Sequence, residues 1–406
     1  MKINTDNLYN TLLNWGTILL AVSITMSITL MNIAFGILFL AFLIAVFKRK
    51  IRFIHTGIEI PLAVFLLFYI TSSLFSAHSL SSLKSVSDNY WYILHLYLVV
   101  YLFEEREIQV FTKTLGIAAF IMAVYSLLQS FAGFTMLGSL DIAGIKMGSR
   151  SLERITSVFG LPVYMGTGIL GSHLTFGGQM LMLSLISFAA FRKKWPAIVI
   201  IMGLLVSFAY SSWFGFIAAV SAFYFIKKKR FFRAAAVISS FIILLFIIPG
   251  TRNIVTTKLA DRIEIWKAAL SMYAEHPLLG VGSGEFTSIF ETKYSKNFTG
   301  STLGARSHPH SIYLSMLTGG GLFTFLAFLF LAARFVKLYL HPLPSYSAAS
   351  LKLHICCWLA LGAVFAAGIF QTYLSDAENS VLIWTLAGLI IRIRTTYISR
   401  MKPSEI

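Results

Sequence analysis

Apolar runs of roughly 17–25 residues recur along nearly the whole 406-residue chain, and a run of that length is what a helix needs to cross a bilayer. In hydrocarbon only helices and closed barrels satisfy their own backbone polar groups, so the pattern restricts the chain to a bundle of membrane helices. Twelve spans are expected, near 10–29, 31–47, 59–76, 89–103, 115–134, 167–191, 195–210, 211–226, 234–249, 311–333, 354–373 and 380–396. Composition agrees: 57% of residues are hydrophobic, 12% are charged and the mean hydropathy is +0.79, whereas soluble domains carry about 25% charged residues. The expected fold is an all-α integral membrane protein with a single polytopic domain, 1–406. The first run is followed at once by a second and lacks a small-residue cleavage site, so it is expected to stay as an anchor. Cys356 and Cys357 are neighbours within one span, where they suit small apolar filler better than a staple or metal site.

A net charge of +17 could suggest nucleic acid, but in a multispanning chain Lys and Arg mainly fix orientation by staying on the cytoplasmic side. Most of the 33 basic residues fall on one side if both termini are cytoplasmic: Lys48 to Arg52, Arg106, Lys113, Arg192 to Lys194, Lys227 to Arg233, Arg334, Lys337, Lys352 and the Arg392 to Lys402 tail. Nucleic acid is therefore not expected as a partner.

Two connections on the other side stand out, 135–166 and 250–310. The second is far longer than its neighbours, and long connections in compact proteins are functional or disordered. Residues 258–275, "KLADRIEIWKAALSMYAE", place Leu259, Ile263, Trp266, Leu270 and Tyr273 on one helical face, and Pro277 with "GVGSG" ends the pattern. Such a helix is expected to lie across the mouth of the bundle with Trp266 at the interface. Arg150, Arg154, Arg262 and Arg306 sit on the side where basic residues are scarce. Long external loops tolerate such residues; the functional alternative is an anionic ligand, since arginine grips phosphate bidentately and stays charged.

Beside Arg306 stand His308 and His310, just before an apolar run containing Gly319, Gly320 and Gly321. Two histidines at this spacing could face one ion, but no Cys, Asp or Glu follows closely, and Glu285 and Glu291 are the nearest acids. No metal or other cofactor is expected. A histidine here could also simply cap the helix starting near Ser311. Next to external arginines, however, a neutral imidazole can accept a proton from a sugar hydroxyl. Together with phosphate-gripping arginines it suits group transfer from a pyrophosphate-linked donor, with the leaving group stabilised electrostatically. The glycines permit close helix approach or a local break.

"RIEIWKAALSMYAEHPLLGVGSGEF" (262–286) and "HPHSIYLSMLTGGGLFT" (308–324), separated by an external loop, resemble the bacterial O-antigen ligase and polymerase superfamily. Its ligases show a His followed by Asn, Ser or Gln, then nine residues, a Gly, and a small residue three further on. His310-Ser311, Gly321 and Thr324 match, so the family's histidine is His310, with His308 a neighbour. "RITSVFGLPVYMGTGILGSHLTFGGQM" (154–180) is similar to the segment entering the family's middle span. The resemblance implies a GT-C type glycosyltransferase of the bacterial inner membrane with its active site facing the periplasm. It would move a glycan from undecaprenyl pyrophosphate to an acceptor sugar, lipid A-core in the ligases, without a metal. His310 would activate the acceptor hydroxyl and Arg262 would hold the pyrophosphate. One departure concerns a second family arginine at the outer end of a central helix. Aligning "FAYSSWFGFIAAV" (208–220) on Trp213 puts Tyr210 in its place, so Arg154, or behind it Arg306 or Arg150, is expected to supply the missing contact. The nine-residue spacing favours ligase over polymerase. A transporter of lipid-linked glycans is the alternative from another class, although few charges lie inside the spans and no internal repeat is visible.

Overall fold

Long apolar runs become helices wherever a capping residue or turn lets the ladder start and stop. The computed structural model describes residues 5–133, 154–158, 161–228, 236, 239, 251–295, 308–341 and 346–398. In chain order the elements are α1 (Thr5–Ser23), α2 (Ile28–Phe47), α3 (Glu59–Leu74), α4 (Ser79–Tyr90), α5 (Leu94–Leu102), α6 (Glu105–Ala132), β1 (Arg154–Val158), β2 (Leu161–Tyr164), α7 (His173–Ala190), α8 (Trp195–Val206), α9 (Tyr210–Lys228), α10 (Thr251–Glu275), α11 (Phe286–Ile289), α12 (Ile312–Tyr339), α13 (Ala348–Ala367) and α14 (Ala377–Ile398). Among the described residues six helices, α2, α6, α7, α12, α13 and α14, are long and apolar enough to cross a membrane, and α3 and α8 are shorter apolar helices. This is a multi-pass membrane protein.

Six of the expected spans, 31–47, 115–134, 167–191, 311–333, 354–373 and 380–396, fall on the six long helices, and 59–76 and 195–210 fall on α3 and α8; of 234–249 only residues 236 and 239 are among those described. The span expected at 10–29 is divided. Ser23 and Thr25 donate their hydroxyls to Leu20 and Val22 carbonyls, ending α1, and Ser27 adopts an extended backbone that opens α2. The span expected at 89–103 becomes the end of α4, a 3₁₀ turn (Trp91–Ile93) and α5. Helix α6 starts ten residues before its expected boundary because Glu104 and Glu107 form a reciprocal capping box. The tight joint expected near 210 is a three-residue turn between α8 and α9, locked by Trp213 Nε1 donating to Leu204 O at 3.0 Å. The all-α expectation needs one correction. Within 135–166, Arg154–Val158 and Leu161–Tyr164 form an antiparallel hairpin, with β-branched residues and a Pro suited to a short two-stranded edge. Its exit is tied down where Gly166 N donates to Val206 O at 2.8 Å, and Gln129 bridges Thr167 N and Gly168 O.

Helices α3 and α12, α13 with α7 and α9, α14 with α5, and α6 with α8 pack side by side. One end of the bundle is basic. Lys48 and Lys50 both pair with Asp6, at 2.7 and 2.8 Å, Arg394 donates to His341 O and Arg392 to Phe103 O. The opposite end carries α10 and the turn that follows it.

Helix α10 begins seven residues before the expected start, and its packed face differs from the one expected. Leu259, Ile263 and Leu270 are 41%, 43% and 50% exposed, whereas Ile265, Ala268, Ala269 and Met272 are buried against Val281, Phe286 and Phe290. The long connection contributes its own small core, so the helix has two apolar stripes, one packed inward and one facing out.

Candidate active site

Helix α12 is not continuous. At Gly321 the backbone turns to φ 70°, ψ −172°, a region open essentially to glycine alone, and the ladder is interrupted. The groups this frees are taken up by the turn after α10. Val281 N donates to Thr318 O at 2.8 Å and Gly282 N to Gly319 O at 2.9 Å. In return Leu322 N donates to Pro277 O at 2.9 Å and Phe323 N to Leu278 O at 3.3 Å. Ser72 of α3 adds a hydroxyl to Gly319 O at 2.7 Å. Two backbones approach this closely only without side chains: a Cβ on Gly321 would lie 2.4 Å from Leu278 O, and one on Gly280 would lie 2.5 Å from Thr318 O. The same turn grips α4 through Ser283 on Ser85 at 2.9 Å and Glu285 on His78 at 2.8 Å. The glycine spacing read in the sequence thus has a mechanical meaning: it fixes α10 relative to the start of α12.

His310 sits at that start, 8% exposed. Its Nδ1 lies 2.9 Å from Gln371 Oε1, so Nδ1–H donates to the amide oxygen and the basic lone pair belongs to Nε2. Its backbone is left-handed, φ 49°, a strain of roughly 1–2 kcal/mol for a residue with a Cβ. Neighbouring bonds impose it. His310 N donates to His308 Nδ1 at 3.2 Å, and Trp266 Nε1 of α10 donates to Pro309 O at 3.0 Å. The two imidazoles stand edge to face with centroids 4.2 Å apart. His308 Nδ1 also faces Thr372 Oγ1 at 3.3 Å, so its nitrogen accepts and the ring is neutral. Burial, with His310 and Arg262 adding to it, pushes the His308 pKa down to about 3.

Arg262 lies one turn before Trp266 on α10. It makes no ion pair with a carboxylate among the described residues, and burial lowers its pKa, partly offset by the Tyr373 phenol. Tyr373 is fully buried and its hydroxyl meets Ser211 at 3.0 Å and Ser212 at 2.8 Å. Those serines open α9 directly after Tyr210, which packs edge-on against Trp213 at 5.2 Å. Trp266 stacks on Phe370, and Phe370 meets Phe214 edge-on. One site therefore gathers α9, α10, the His308–His310 turn and residues 370–373.

Of the residues singled out in the sequence, His310, His308 and Arg262 come together here, and Tyr210 lies beside them through Ser211 and Ser212. Arg154 opens β1, opposite Tyr164. Arg150 and Arg306 lie outside the described residues. Sequence reasoning missed Gln371, Thr372 and Tyr373. They follow α13 in a stretch, "FQTYLSD", whose polar residues interrupt an apolar run, and that interruption was the available signal.

A buried imidazole with a fixed tautomer next to a half-buried guanidinium without a carboxylate partner among the described residues can take a proton from a hydroxyl while an anion is held nearby. Comparison with curated proteins finds no match to the chain. Residues 195–329, from α8 through α9, α10 and the histidine turn to the break in α12, match the family model described as O-antigen ligase. That match, over about a third of the chain, supports the resemblance to the O-antigen ligase and polymerase superfamily that the histidine, arginine and glycine spacing carries.

Proposed function

We propose that the protein is a membrane glycosyltransferase that moves a glycan, an O-antigen-like polysaccharide, from undecaprenyl pyrophosphate to an acceptor sugar of lipid A-core. The observation that carries this reading is the pairing of His310, held through Nδ1 by Gln371, with Arg262, a half-buried cation with no carboxylate partner among the described residues. Arg262 neutralises the pyrophosphate as the glycosyl bond breaks, and His310 Nε2 takes the proton of the acceptor hydroxyl that attacks the anomeric carbon. No metal or other cofactor takes part in this scheme. Arg154, with Arg306 behind it, supplies the second phosphate contact that Tyr210 does not.

The remaining elements of the proposal are twelve spans, read from the apolar runs; both termini cytoplasmic, read from the charge pattern; and a GT-C type arrangement in the bacterial inner membrane with the His310 end in the periplasm, which the resemblance implies. Polymerisation of lipid-linked repeat units is the second reading, since the same base and cation serve either acceptor; the nine residues between His310-Ser311 and Gly321 favour ligation.

Reconstitution of the full chain in liposomes with an undecaprenyl pyrophosphate glycan tests this directly. Glycan-capped lipid A-core is the expected product. A ladder of longer lipid-linked glycans without core would identify a polymerase, and movement of the lipid across the bilayer without any transfer would identify a transporter.

A further inference from the structure

A second cavity lies at the opposite, basic end of the bundle and takes no part in the chemistry above. It has a volume of about 430 Å³ and is bounded by the first turns of α6, the end of α7, the start of α13 and the end of α14. Three cations line it, Lys113, Arg192 and Lys352, with one carboxylate, Glu105. None of the three cations belongs to an ion pair among the described residues. Thr112 also lines the cavity; it is 7% exposed, and its hydroxyl is buried without a hydrogen-bond partner, an arrangement that costs free energy unless something fills it. The N-terminus of the 20-residue α13, capped by Ser347, adds its dipole on the same side. These groups call for an anion.

The surroundings say what carries the anion. Part of the wall is apolar, with Ile108, Phe191, Leu353 and Ile393. A second cleft of about 320 Å³ shares Phe191 and Arg192 with the first and continues along Ile117, Phe120 and Trp195. Trp195 is 54% exposed and stands edge-on to Phe120 at 5.3 Å, the placement an indole takes at the level of lipid headgroups. A cationic chamber opening onto an apolar trough at a helix end matches a molecule with a phosphate head and a hydrocarbon tail. A free phosphate would use only the first half.

We propose that this cavity binds the headgroup of one anionic phospholipid, its phosphate held by Lys113, Arg192 and Lys352 with a hydrogen bond from Thr112, and its acyl chain laid along Phe120 and Trp195. The site is independent of the glycan-transfer reading, so either can fail alone.

The test uses full-length protein in mild detergent, titrated in parallel with phosphatidylglycerol, phosphatidylcholine and inorganic phosphate, with lipid adducts counted by native mass spectrometry and unfolding followed thermally. One retained phosphatidylglycerol per chain is expected, with at least a tenfold preference over phosphatidylcholine. The triple variant Lys113→Gln, Arg192→Gln, Lys352→Gln is expected to lose that preference, while His310→Ala keeps it. Each single substitution should weaken retention about threefold, which keeps the test open should the triple variant fail to fold. Equal retention of both lipids by the wild-type chain, or full retention by the variants, would overturn the proposal. Stabilisation by inorganic phosphate equal to that by phosphatidylglycerol would overturn it too, by assigning the site to a soluble anion.

Discussion

Replacing Gln371 by alanine removes the acceptor for His310 Nδ1–H and frees the imidazole to carry its proton on either nitrogen. Turnover should fall by about 10–100-fold, with Gln371→Glu recovering part of it, because a carboxylate fixes the same tautomer. His310→Ala should abolish transfer, and Arg262→Lys should recover little over Arg262→Ala, since an ammonium cannot grip pyrophosphate bidentately; rates in membranes check both. His308 yields a pH prediction. Its folded pKa of about 3 lies below the ordinary 6.5, so between those values the unfolded chain binds the extra proton. Stability is therefore full above about pH 6.5 and lost as pH falls, by at most about 1.4 kcal/mol per pH unit. Thermal midpoints at pH 7 and pH 5 should differ less in His308→Gln than in the wild type.

At the scale of elements, the joint between α12 and the turn after α10 is the feature most open to test. Gly321→Ala and Gly280→Ala should each destabilise the joint by roughly 1–3 kcal/mol through backbone strain alone, before the clash is counted. The measurement is proteolysis of the 277–286 turn, together with turnover. Gly362, whose added Cβ would meet nothing within 4 Å, is the control and should tolerate alanine. The sequence made the histidine, the loop arginine and the glycines legible because each is a strong local signal with fixed spacing. Gln371, 61 residues from His310, was not legible, since its role arises only when the α13–α14 connection folds over the turn. The buried face of α10 was misread for a related reason: two apolar stripes run along it, and only the connection's own Phe286 and Phe290 decide which one packs inward. The hairpin at 154–164 was read as an undivided segment because five- and four-residue strands leave too short an alternation to stand out.

For the whole molecule, the separation of a basic end from an end carrying His310 predicts which residues each compartment can reach. The cysteines are both buried, so a Cys356→Ala, Cys357→Ala background allows single-cysteine labelling. A cysteine at exposed Leu278 should react with an impermeant maleimide from the periplasm, and one at exposed Lys193 only after the inner membrane is opened. The reverse pattern would invert the proposed orientation. Charge alone singles out the residues that gather at the basic end, Lys48, Lys50, Arg392 and Arg394 among them, whereas the helix boundaries depend on caps and hydroxyls acting over a few residues.

The joint at Gly321 also bears on how the chain is made. Synthesis delivers the 277–282 turn before α12, yet the first turns of α12 cannot complete their backbone bonding without it, and in hydrocarbon each open group costs several kcal/mol. In the proposed orientation, the turn must therefore already be across the membrane and waiting when α12 arrives. Once joined by four backbone bonds, the two segments move as one part, so any displacement of α10 must move the outer half of α12, and His310 with it.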